Sequence, residues 1–385
     1  MVLRYGVKGE FSDTSYTEIV PTKEWYGDRL YYKADITNLE SGTEYVYKIG
    51  DTIDNKWSEL YSFTTEPEIS GDFSFIAVTD PQGSNQSNYD LFKQTVDAAF
   101  EDRPESKFML SLGDMVELGY VEEYWDMYFD AIDEYCTDIP NMAIIGNHET
   151  RDDSATSYYD AGLQFRLHFN NDTGATKTIT DNISESQLSN ECSKGVLENI
   201  AGSVYSFDYG NVHIAALNSS TDWNNADTLN LVEAQADWLA EDLENSDAMW
   251  KIVLIHQGLY PAKEARYFGL RDVLEGIIDG CGVDLVLQGH DHMVARTYPM
   301  KNGSIVTKNT PESVDKGEGA VYYIPGAAAN KRYSDVGKPD YMATLTNTAQ
   351  SQPTYTVFDV SDEMLSAFTY QLDGTLVDSF SIVGK

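Results

Sequence analysis

One stretch decides the fold, Phe73-Ser74-Phe75-Ile76-Ala77-Val78-Thr79-Asp80-Pro81-Gln82, in which an apolar run passes directly into polar residues. The run from Phe73 to Val78 is rich in aromatic and branched side chains and predicts a buried strand. Asp80 and Gln82, which follow it, carry carboxylate and amide oxygens that can bind metal ions. In α/β sheets, functional sites form beyond the carboxyl ends of the strands, so this stretch predicts such a site.

The same pattern follows four further predicted strands, at Phe108–Leu112, Met142–Ile145, Lys251–Ile255 and Asp284–Leu287. The residues that end them are Gly113-Asp114-Met115-Val116-Glu117, Gly146-Asn147-His148-Glu149, His256 and Gly289-His290-Asp291-His292. Each motif alone is common, since Gly-Asp is an ordinary turn dipeptide and His-x-His could be a satisfied core pair. Five clusters in this order, each at a strand end, favour a shared metal site over chance.

Histidine usage supports this interpretation, because four of the six histidines lie in these clusters. The other two are weaker candidates. His213 lies inside the predicted strand Val212–Leu217, and we expect it to be a packed structural residue. His168 lies in a polar stretch, where we expect a plain surface residue, with a substrate contact as the other interpretation.

The order of elements predicts two domains. Residues 71–385 alternate strands with helical spacing and predict an α/β layered domain. Its predicted helices are Asn88–Asp102, Tyr120–Tyr135, Val232–Leu243 and Leu270–Ile278. The polar region from Arg151 to Gly202 predicts a long irregular loop that shapes substrate choice. Residues 1–66, with strands such as Leu30–Ile36 and Tyr45–Gly50, predict a small all-β sandwich.

Charge and composition exclude several function classes. The 385 residues include 26 Lys and Arg against 63 Asp and Glu, a formal net charge of −37. Such a polyanion is a poor partner for nucleic-acid polymers and for anionic membrane surfaces. No apolar run approaches the roughly 18–20 residues that a membrane helix needs, so no membrane insertion is expected. Cys136, Cys192 and Cys281 are scattered singly and suggest neither a zinc ribbon nor a disulfide scaffold.

The ordered strand-end residues resemble the calcineurin-like metallophosphoesterase family, on Asp80, Gly113-Asp114, Gly146-Asn147-His148-Glu149, His256 and Gly289-His290-Asp291-His292. The region that carries these motifs extends from about residue 71 to the C-terminus, and this extent resembles the purple acid phosphatase branch of the family. The resemblance implies a four-layer α/β/β/α sandwich preceded by the small all-β domain. It also implies hydrolysis of phosphate monoesters on small molecules by metal-bound hydroxide. A phosphodiesterase or nucleotidase, or a cell-surface binding protein without turnover, are the alternatives.

The N-terminal residues support the same branch. The segment Leu39–Asp51, followed by Trp57-Ser58-Glu59 and Phe63-Thr64-Thr65, resembles the fibronectin type III-like domain that precedes the catalytic domain in that branch. About 66 residues fall short of the roughly 100 of a complete sandwich. We therefore expect a natural protein that is longer at its N-terminus, with an extracellular or cell-surface location in a bacterium, although Met1–Tyr5 does not begin a secretory signal.

The family resemblance implies two metal ions, Fe, Mn or Zn, bridged by one carboxylate. The implied ligands are Asp80 and His292 for the first ion, Asn147, His256 and His290 for the second, and Asp114 as the bridge. His148 would not bind metal but would donate to the phosphate or to the leaving oxygen, as a general acid or charge stabiliser. Tyr260, in a segment that is also similar to that branch, would contact the substrate.

Two positions depart from the family pattern. Gln82 stands where the common motif has histidine, and Glu117 stands where purple acid phosphatases have a tyrosine that binds ferric iron. We therefore expect a protein that is not purple. Gln82 could be a metal ligand or orient a metal-bound water, and we favour a ligand. Glu117 could coordinate a metal or orient a ligand histidine from behind, and we favour the second role.

Overall fold

The computed structural model describes residues 1–68, 71–151, 162–188, 193–220, 226–263, 269–309, 312–331, 338–346 and 352–384. The chain divides into two compact units, residues 1–71 with 133–140, and residues 72–132 with 141–385. Within the described residues, no helix combines the length and the apolar character that crossing a membrane requires.

The N-terminal unit contains a five-stranded sheet and a separate two-stranded hairpin. Its strands are Val2–Val7 (β1), Thr17–Ile19 (β2), Thr22–Tyr26 (β3), Arg29–Lys33 (β4), Glu44–Asp51 (β5), Lys56–Trp57 (β6) and Tyr61–Thr64 (β7). The sheet has the order β2-β1-β5-β6, with β7 also pairing with β5, and β3 and β4 form the hairpin. Tyr45 and Val46 are buried, and Tyr45 stacks on Phe63 at 5.6 Å between ring centroids. The residues rich in Tyr and Val therefore form strands, as predicted.

The second unit is built around two seven-stranded sheets. Its strands are Phe73–Val78 (β8), Met109–Ser111 (β9), Asn141–Ala143 (β10), Tyr205–Tyr209 (β11), Val212–Leu217 (β12), Trp250–Ile255 (β13), Leu285–Gln288 (β14), Val294–Thr297 (β15), Met300–Lys301 (β16), Ser304–Ile305 (β17), Ser313–Asp315 (β18), Val321–Pro325 (β19), Met342–Leu345 (β20), Thr354–Val360 (β21), Met364–Gln371 (β22) and Leu376–Val383 (β23). One sheet has the order β10-β9-β8-β21-β22-β23-β18, and the other β11-β12-β13-β14-β19-β15-β20.

The apolar runs of these strands form a core that contains side chains from both sheets. Phe75 of the first sheet and Leu254 and Tyr323 of the second belong to one buried cluster. Phe75 stacks on Phe108 and on Phe358, with ring centroids 4.9 and 4.7 Å apart. Strands buried on both faces read as continuous apolar runs, which is why the sequence predicts them well.

Helices cover the outer faces of the two sheets. The described helices are Gln86–Asp102, Glu122–Cys136, Leu163–His168, Gly174–Asn182, Lys194–Leu197, Ala226–Asn245 and Leu270–Gly280, with 3-10 turns at Glu185–Gln187 and Glu198–Ile200. Gln86–Asp102 packs against β21, and Asn85 caps its first turn. Ala226–Asn245 and Leu270–Gly280 contribute Leu239 and Leu274 to a second buried cluster with β13 and β14. The result is a layered α/β/β/α arrangement, as expected.

Two expectations for the region 151–202 were wrong. Its described residues are largely helical: Phe165 is buried in Leu163–His168, and Ala175 and Ile179, four residues apart, are buried in Gly174–Asn182. His168 is not a plain surface residue, since its ring stacks on Trp125 at 4.8 Å and 12% of its side chain is exposed. Cys192 lies outside the described residues.

Candidate metal centre

Four of the five strand-end clusters supply side chains that converge on one carboxylate. Asp114, which follows β9, belongs to two potential metal-binding groups, one with His256 and His290 and one with Asp80 and His292. In each group the potential ligand atoms lie within 4.8 Å of one another. Asp80 and Asp114 follow strands of the first sheet, and the three histidines follow β13 and β14 of the second. The strand ends of both sheets therefore build a double cluster centred on Asp114.

The backbone at this cluster is in an unusual conformation. Asp80, Asp114, His290 and His292 have positive φ angles of 53°, 52°, 68° and 44°. Such angles are uncommon outside glycine and cost energy, so they persist where the surrounding structure holds them. Here the backbone N–H of His290 donates to Asp80 Oδ2 at 3.0 Å, and the Thr79 hydroxyl donates to the same oxygen at 2.6 Å. The turn after β8 is therefore held by the turn after β14.

Glycine at two motif positions makes room for the ligands. A Cβ at Gly146 would lie 2.2 Å from the backbone nitrogen of Asp114 and 2.3 Å from its Oδ1 atom. A Cβ at Gly113, where φ is +87°, would lie 2.6 Å from Nδ1 of His256. The glycines of the Gly-Asp and Gly-Asn-His motifs are thus required by close approach between strand ends.

Glu149 is an organising residue to which the sequence analysis assigned no role. Its carboxylate is fully buried and accepts hydrogen bonds from the backbone N–H groups of Asp114, Met115, Val116 and Gly146, at 2.7 to 3.1 Å. Burial and the charge of Asp114 raise the pKa of Glu149 to about 7, against the opposing effect of these bonds. Glu149 therefore ties the turn after β9 to the turn after β10. The feature of the sequence that could have indicated this role is the position of Glu149 directly after His148.

Two buried atoms of the strand-end motifs have no hydrogen-bond partner among the described residues. These atoms are Nε2 of His256 and Oδ1 of Asn147. His256 Nδ1 donates to the carbonyl oxygen of Leu112 at 2.7 Å, which leaves Nε2 as the ring nitrogen that can bind a metal ion once it is deprotonated. Buried polar atoms are almost always satisfied, so such exceptions need a cause. An imidazole nitrogen and an amide oxygen left without partners fit the donor atoms of a metal site.

The spacing of the donor atoms also fits metal binding. Nε2 of His292 lies 3.1 Å from Oδ1 of Asp80, and Nε2 of His256 lies 3.2 Å from Oδ2 of Asp114. With metal–ligand bonds of about 2.0–2.2 Å, neighbouring ligand atoms stand about 3 Å apart. Gln82 is fully buried, and its amide oxygen, in the orientation that satisfies both ends, faces His292 Nε2 at 3.2 Å.

The carboxylates of the cluster are anionic. Burial acts to raise the pKa of Asp114, but His256 and His148 outweigh it and hold that pKa well below its usual range. Burial likewise opposes ionisation of Asp80, and His292 lowers the pKa of that carboxyl. Burial lowers the pKa of His256 but Asp114 raises it, to about 10, so a metal ion that binds Nε2 would displace a proton. The negative charge therefore concentrates where a cation would bind.

His148 stands at the edge of this cluster with one ring nitrogen fixed. Its Nδ1 atom donates to the backbone carbonyl oxygen of Glu117 at 2.8 Å, and its backbone N–H donates to Asp114 Oδ1 at 2.8 Å. Its Nε2 atom lies 3.8 Å from Asp114 Oδ2. Burial lowers the pKa of His148, with Arg151 and Lys331 acting in the same direction and Asp114 opposing. Nε2 is therefore the atom available to a substrate.

An open cavity adjoins the cluster. Its volume is about 540 Å³, and the described residues that line it are Gly83, Ser84, Asn88, Glu117, His148, Arg151, His292, Asn330 and Lys331. His148 and His292 connect it to the potential ligands. A small molecule in this cavity can therefore contact the cluster.

Comparison with known families agrees with this arrangement. Residues 73–294, more than half of the chain, match the family model described as calcineurin-like phosphoesterase. The chain belongs to this family. Residues 1–65 match the model described as purple acid phosphatase, N-terminal domain. The resemblance of the strand-end motifs to the metallophosphoesterase family, and of the N-terminal residues to the purple acid phosphatase branch, is thus confirmed.

Curated proteins similar to this chain include acid phosphatases. The acid phosphatase of Aspergillus ficuum is 25% identical over 337 residues, which cover 70% of this chain and 53% of that protein. Purple acid phosphatase 23 of Arabidopsis thaliana is 24% identical over 335 residues, which cover 77% of this chain and 65% of that protein. The chain therefore spans about half to two thirds of the length of these relatives.

Solved structures share the fold. A purple acid phosphatase, PPD1, from yellow lupin (Lupinus luteus) seeds matches with a TM-score of 0.78 and 16% identity, over 100% of this chain and 69% of that one. GAP50, the anchor in the inner membrane complex of Plasmodium, matches with a TM-score of 0.53 and 13% identity, over 82% of this chain and 90% of that one. The predicted mixed α/β sandwich with an N-terminal all-β domain is therefore confirmed.

Two predicted site residues lie away from the potential ligand atoms. Glu117 does not face a histidine of the two ligand groups; its carboxylate lies 3.7 Å from Nδ1 of His148 and pairs with Arg151 and Lys331. Tyr260 is fully buried, and its hydroxyl donates to Glu275. The structure does not bring Tyr260 to the described lining of the cavity, whereas Gln82, Asn147 and His148 do lie at or beside the cluster.

Proposed function

We propose that this protein hydrolyses phosphate monoesters of small molecules with two metal ions held by the cluster centred on Asp114. The observation that carries the proposal is the pair of ligand groups that share this carboxylate. The unpartnered atoms of His256 and Asn147 supply independent support. Two ions that shared the Asp114 carboxylate would suit in-line displacement at phosphorus.

Each ion would have its own set of protein ligands. The proposed ligands are Asp80, Gln82 and His292 for one ion, Asn147, His256 and His290 for the other, and Asp114 for both. Imidazole, carboxylate and amide donors together suit Mn, Fe or Zn. When bound, two such ions activate a water molecule and neutralise the charge of the phosphate. Glu149 would keep Asp114 in place through the backbone of its turn.

His148 would act on the substrate through Nε2. Its Nδ1–H is held by the Glu117 carbonyl oxygen, so a proton gained by the ring resides on Nε2, beside the cavity. From there the protonated ring can donate to a phosphate oxygen or give its proton to the leaving oxygen. We propose the second role as its main contribution to turnover.

Local charge explains how an acidic protein can accept a phosphate. The whole chain carries −37, which repels anions at long range. Two divalent ions bring about +4, and Asp80 with Asp114 reduce it to about +2. The proposed site is therefore a small cationic region within an anionic surface.

The decisive experiment measures turnover and metal content together. Metal-loaded protein should hydrolyse p-nitrophenyl phosphate and contain about two ions per chain, whereas Asp114→Asn should lose both properties. Asp284→Asn is a matched control, because Asp284 is also buried but is paired with Lys316. Metal-loaded protein without hydrolysis of any monoester or diester would contradict the proposal and favour a binding protein.

Substrate class and location are finer parts of the proposal. Faster turnover of bis(p-nitrophenyl) phosphate than of the monoester would indicate a phosphodiesterase of the same fold. The fibronectin type III-like character of residues 1–66 and an extracellular or cell-surface location remain predictions. Fractionation of the native cells, with activity found outside the cytoplasm, would test the location.

A further inference from the structure

The cavity beside the cluster has basic side chains in a strongly acidic chain. Arg151 and Lys331 both line it, although only 26 residues of the chain are Lys or Arg against 63 acidic ones. Both contact the same carboxylate: Arg151 Nη1 lies 3.4 Å from Glu117 Oε1, and Lys331 Nζ donates to Glu117 Oε2. Among the described residues of the lining, two side chains are cationic and one is a carboxylate.

The three side chains remain accessible to a ligand. Their exposed fractions are 45% for Arg151, 30% for Lys331 and 27% for Glu117. Ion pairs at such exposure are weak, because water competes with both partners. A second anion can therefore replace the Glu117 carboxylate at little cost. Glu117 would need only a rotation of its side chain, since the His148 contact uses its backbone carbonyl oxygen.

Another part of the lining adds to the positive potential. The lining includes Asn88, in the first turn of the 17-residue helix Gln86–Asp102. It also includes Gly83 and Ser84, which directly precede the N-cap residue of that helix. The N-terminus of a helix of this length carries a partial positive charge. The cavity thus combines two cationic side chains with a favourable helix end.

The size of the cavity exceeds what one phosphate group needs. A volume of about 540 Å³ lies within the range of about 300–1,000 Å³ that is typical of small-molecule sites. His148 and His292 mark the end at the metal cluster, and Arg151 and Lys331 also contribute to the lining. A substrate whose phosphate reaches the cluster would leave its remaining part in contact with these cations.

We propose that Arg151 and Lys331 bind a second anionic group of the substrate. In the free protein the Glu117 carboxylate pairs with both cations instead. This inference rests on the proposed function and narrows it to phosphate esters that carry a further carboxylate or phosphate. Arginine favours such groups because its planar guanidinium can donate two parallel hydrogen bonds. Glu117 then determines specificity, since it competes with the second anionic group and not with the phosphate that reacts.

Matched substrates test the inference on the metal-loaded full chain. Propyl phosphate, 3-phosphooxypropanoate and 1,3-propanediol bisphosphate are all primary alkyl esters that differ in the remote group. We expect kcat/KM to be roughly tenfold higher for the charged esters, mainly through KM, after correction for the two equivalent esters of the bisphosphate. The carboxylate and the bisphosphate show which of the two anionic groups is preferred.

Substitutions locate the effect. Arg151→Gln and Lys331→Met should each reduce the ratio of charged to uncharged ester by about threefold or more, whereas Glu117→Gln should increase it. The ratio cancels any change that Glu117→Gln makes to the chemical step through His148. Lys177→Met removes the same charge from an exposed pair with Asp181 and should leave the ratio unchanged.

A binding measurement keeps the test independent of turnover. Calorimetry should show phosphonoacetate binding more tightly than methylphosphonate, with the difference reduced in Arg151→Gln and Lys331→Met. A ratio near one in the natural protein, or equal ratios in all variants, would overturn this inference while hydrolysis of propyl phosphate still supported the proposed function. Hydrolysis of none of the esters would overturn the proposed function, and calorimetry would still decide whether the anion site exists.

Discussion

Two buried histidines beside carboxylates differ in a way that separates a potential metal ligand from a structural residue. His213, on β12, has both ring nitrogens engaged, with Nδ1 2.8 Å from Asp208 Oδ1 and Nε2 2.8 Å from Asp242 Oδ2. His256, at the end of β13, has Nδ1 engaged with Leu112 and Nε2 without a hydrogen-bond partner among the described residues. Burial and nearby acids are common to both, so the unsatisfied nitrogen is the distinguishing feature.

The largest expected effect comes from removing each ring. His256→Ala should lose metal ions and reduce kcat/KM for p-nitrophenyl phosphate by about 10³-fold or more, because one ion loses a ligand. His213→Ala should retain its metal content and its kcat. Elemental analysis and steady-state kinetics on both variants check this contrast. Equal metal loss in the two variants would remove the distinction between the two sites.

His148 should separate metal binding from turnover. His148→Ala should reduce kcat by about 10²- to 10⁴-fold, since the loss of a positioned acid has this size. Its metal content should stay at that of the natural protein, because His148 is not among the proposed ligands. The pair of measurements is elemental analysis and turnover of the same sample. A variant that loses its metals would show that His148 is a ligand.

Metal binding should stabilise the fold through the ligand cluster. At a free Mn²⁺ concentration of 100 times Kd, the free energy of unfolding should rise by about 2.7 kcal/mol per ion that binds only the folded state. Urea denaturation with and without the ion measures the change. His256→Gln should show a smaller rise and His213→Gln the full rise. No rise in the natural protein would speak against a preformed site.

The smallest expected effect is the pH dependence of the His213 site. Burial by itself lowers the pKa of His213, but its hydrogen bonds with Asp242 and Asp208 outweigh burial and raise it. The protonated His213 ring therefore stabilises the folded state fully below its unfolded pKa of about 6.5. This stabilisation is lost as the pH rises through the raised pKa of the folded state. The natural protein should exceed His213→Gln in free energy of unfolding by more at pH 5 than at pH 9, on the order of 1 kcal/mol.

The two carboxylates of that site provide a control. The side chain of Asp242 is 18% exposed and that of Asp208 is 70% exposed. Asp242→Asn should therefore abolish most of the pH-dependent stabilisation, and Asp208→Asn little of it. A difference between the natural protein and His213→Gln that is the same at both pH values would show that His213 does not titrate in this range.

Much of the fold can be predicted from the sequence, because the inner strands are apolar runs bounded by polar turns. Phe73–Val78 and Val212–Leu217 have the predicted bounds. The helices Leu163–His168 and Gly174–Asn182 escaped prediction, since each buries only a few apolar residues in a polar segment. Local pattern is informative where burial is extensive and weak where it is not.

The candidate site divides in the same way. Parallel strands place their carboxyl ends together, so Asp80, Asp114 and His256 could be associated from their positions alone. The role of Glu149 depends on four backbone N–H groups from separate turns. Arg151 and Lys331 both contact Glu117 because tertiary packing brings distant segments together. A local sequence motif cannot predict such a contact.

The most direct test of the central claim, that Asp114 is shared by two metal ions, is anomalous diffraction from crystals of the protein loaded with Mn²⁺. Two anomalous peaks are expected on either side of the Asp114 carboxylate, one beside Asp80 and His292 and the other beside His256 and His290. Crystals of the loaded protein with a single peak, or with peaks away from Asp114, would contradict it.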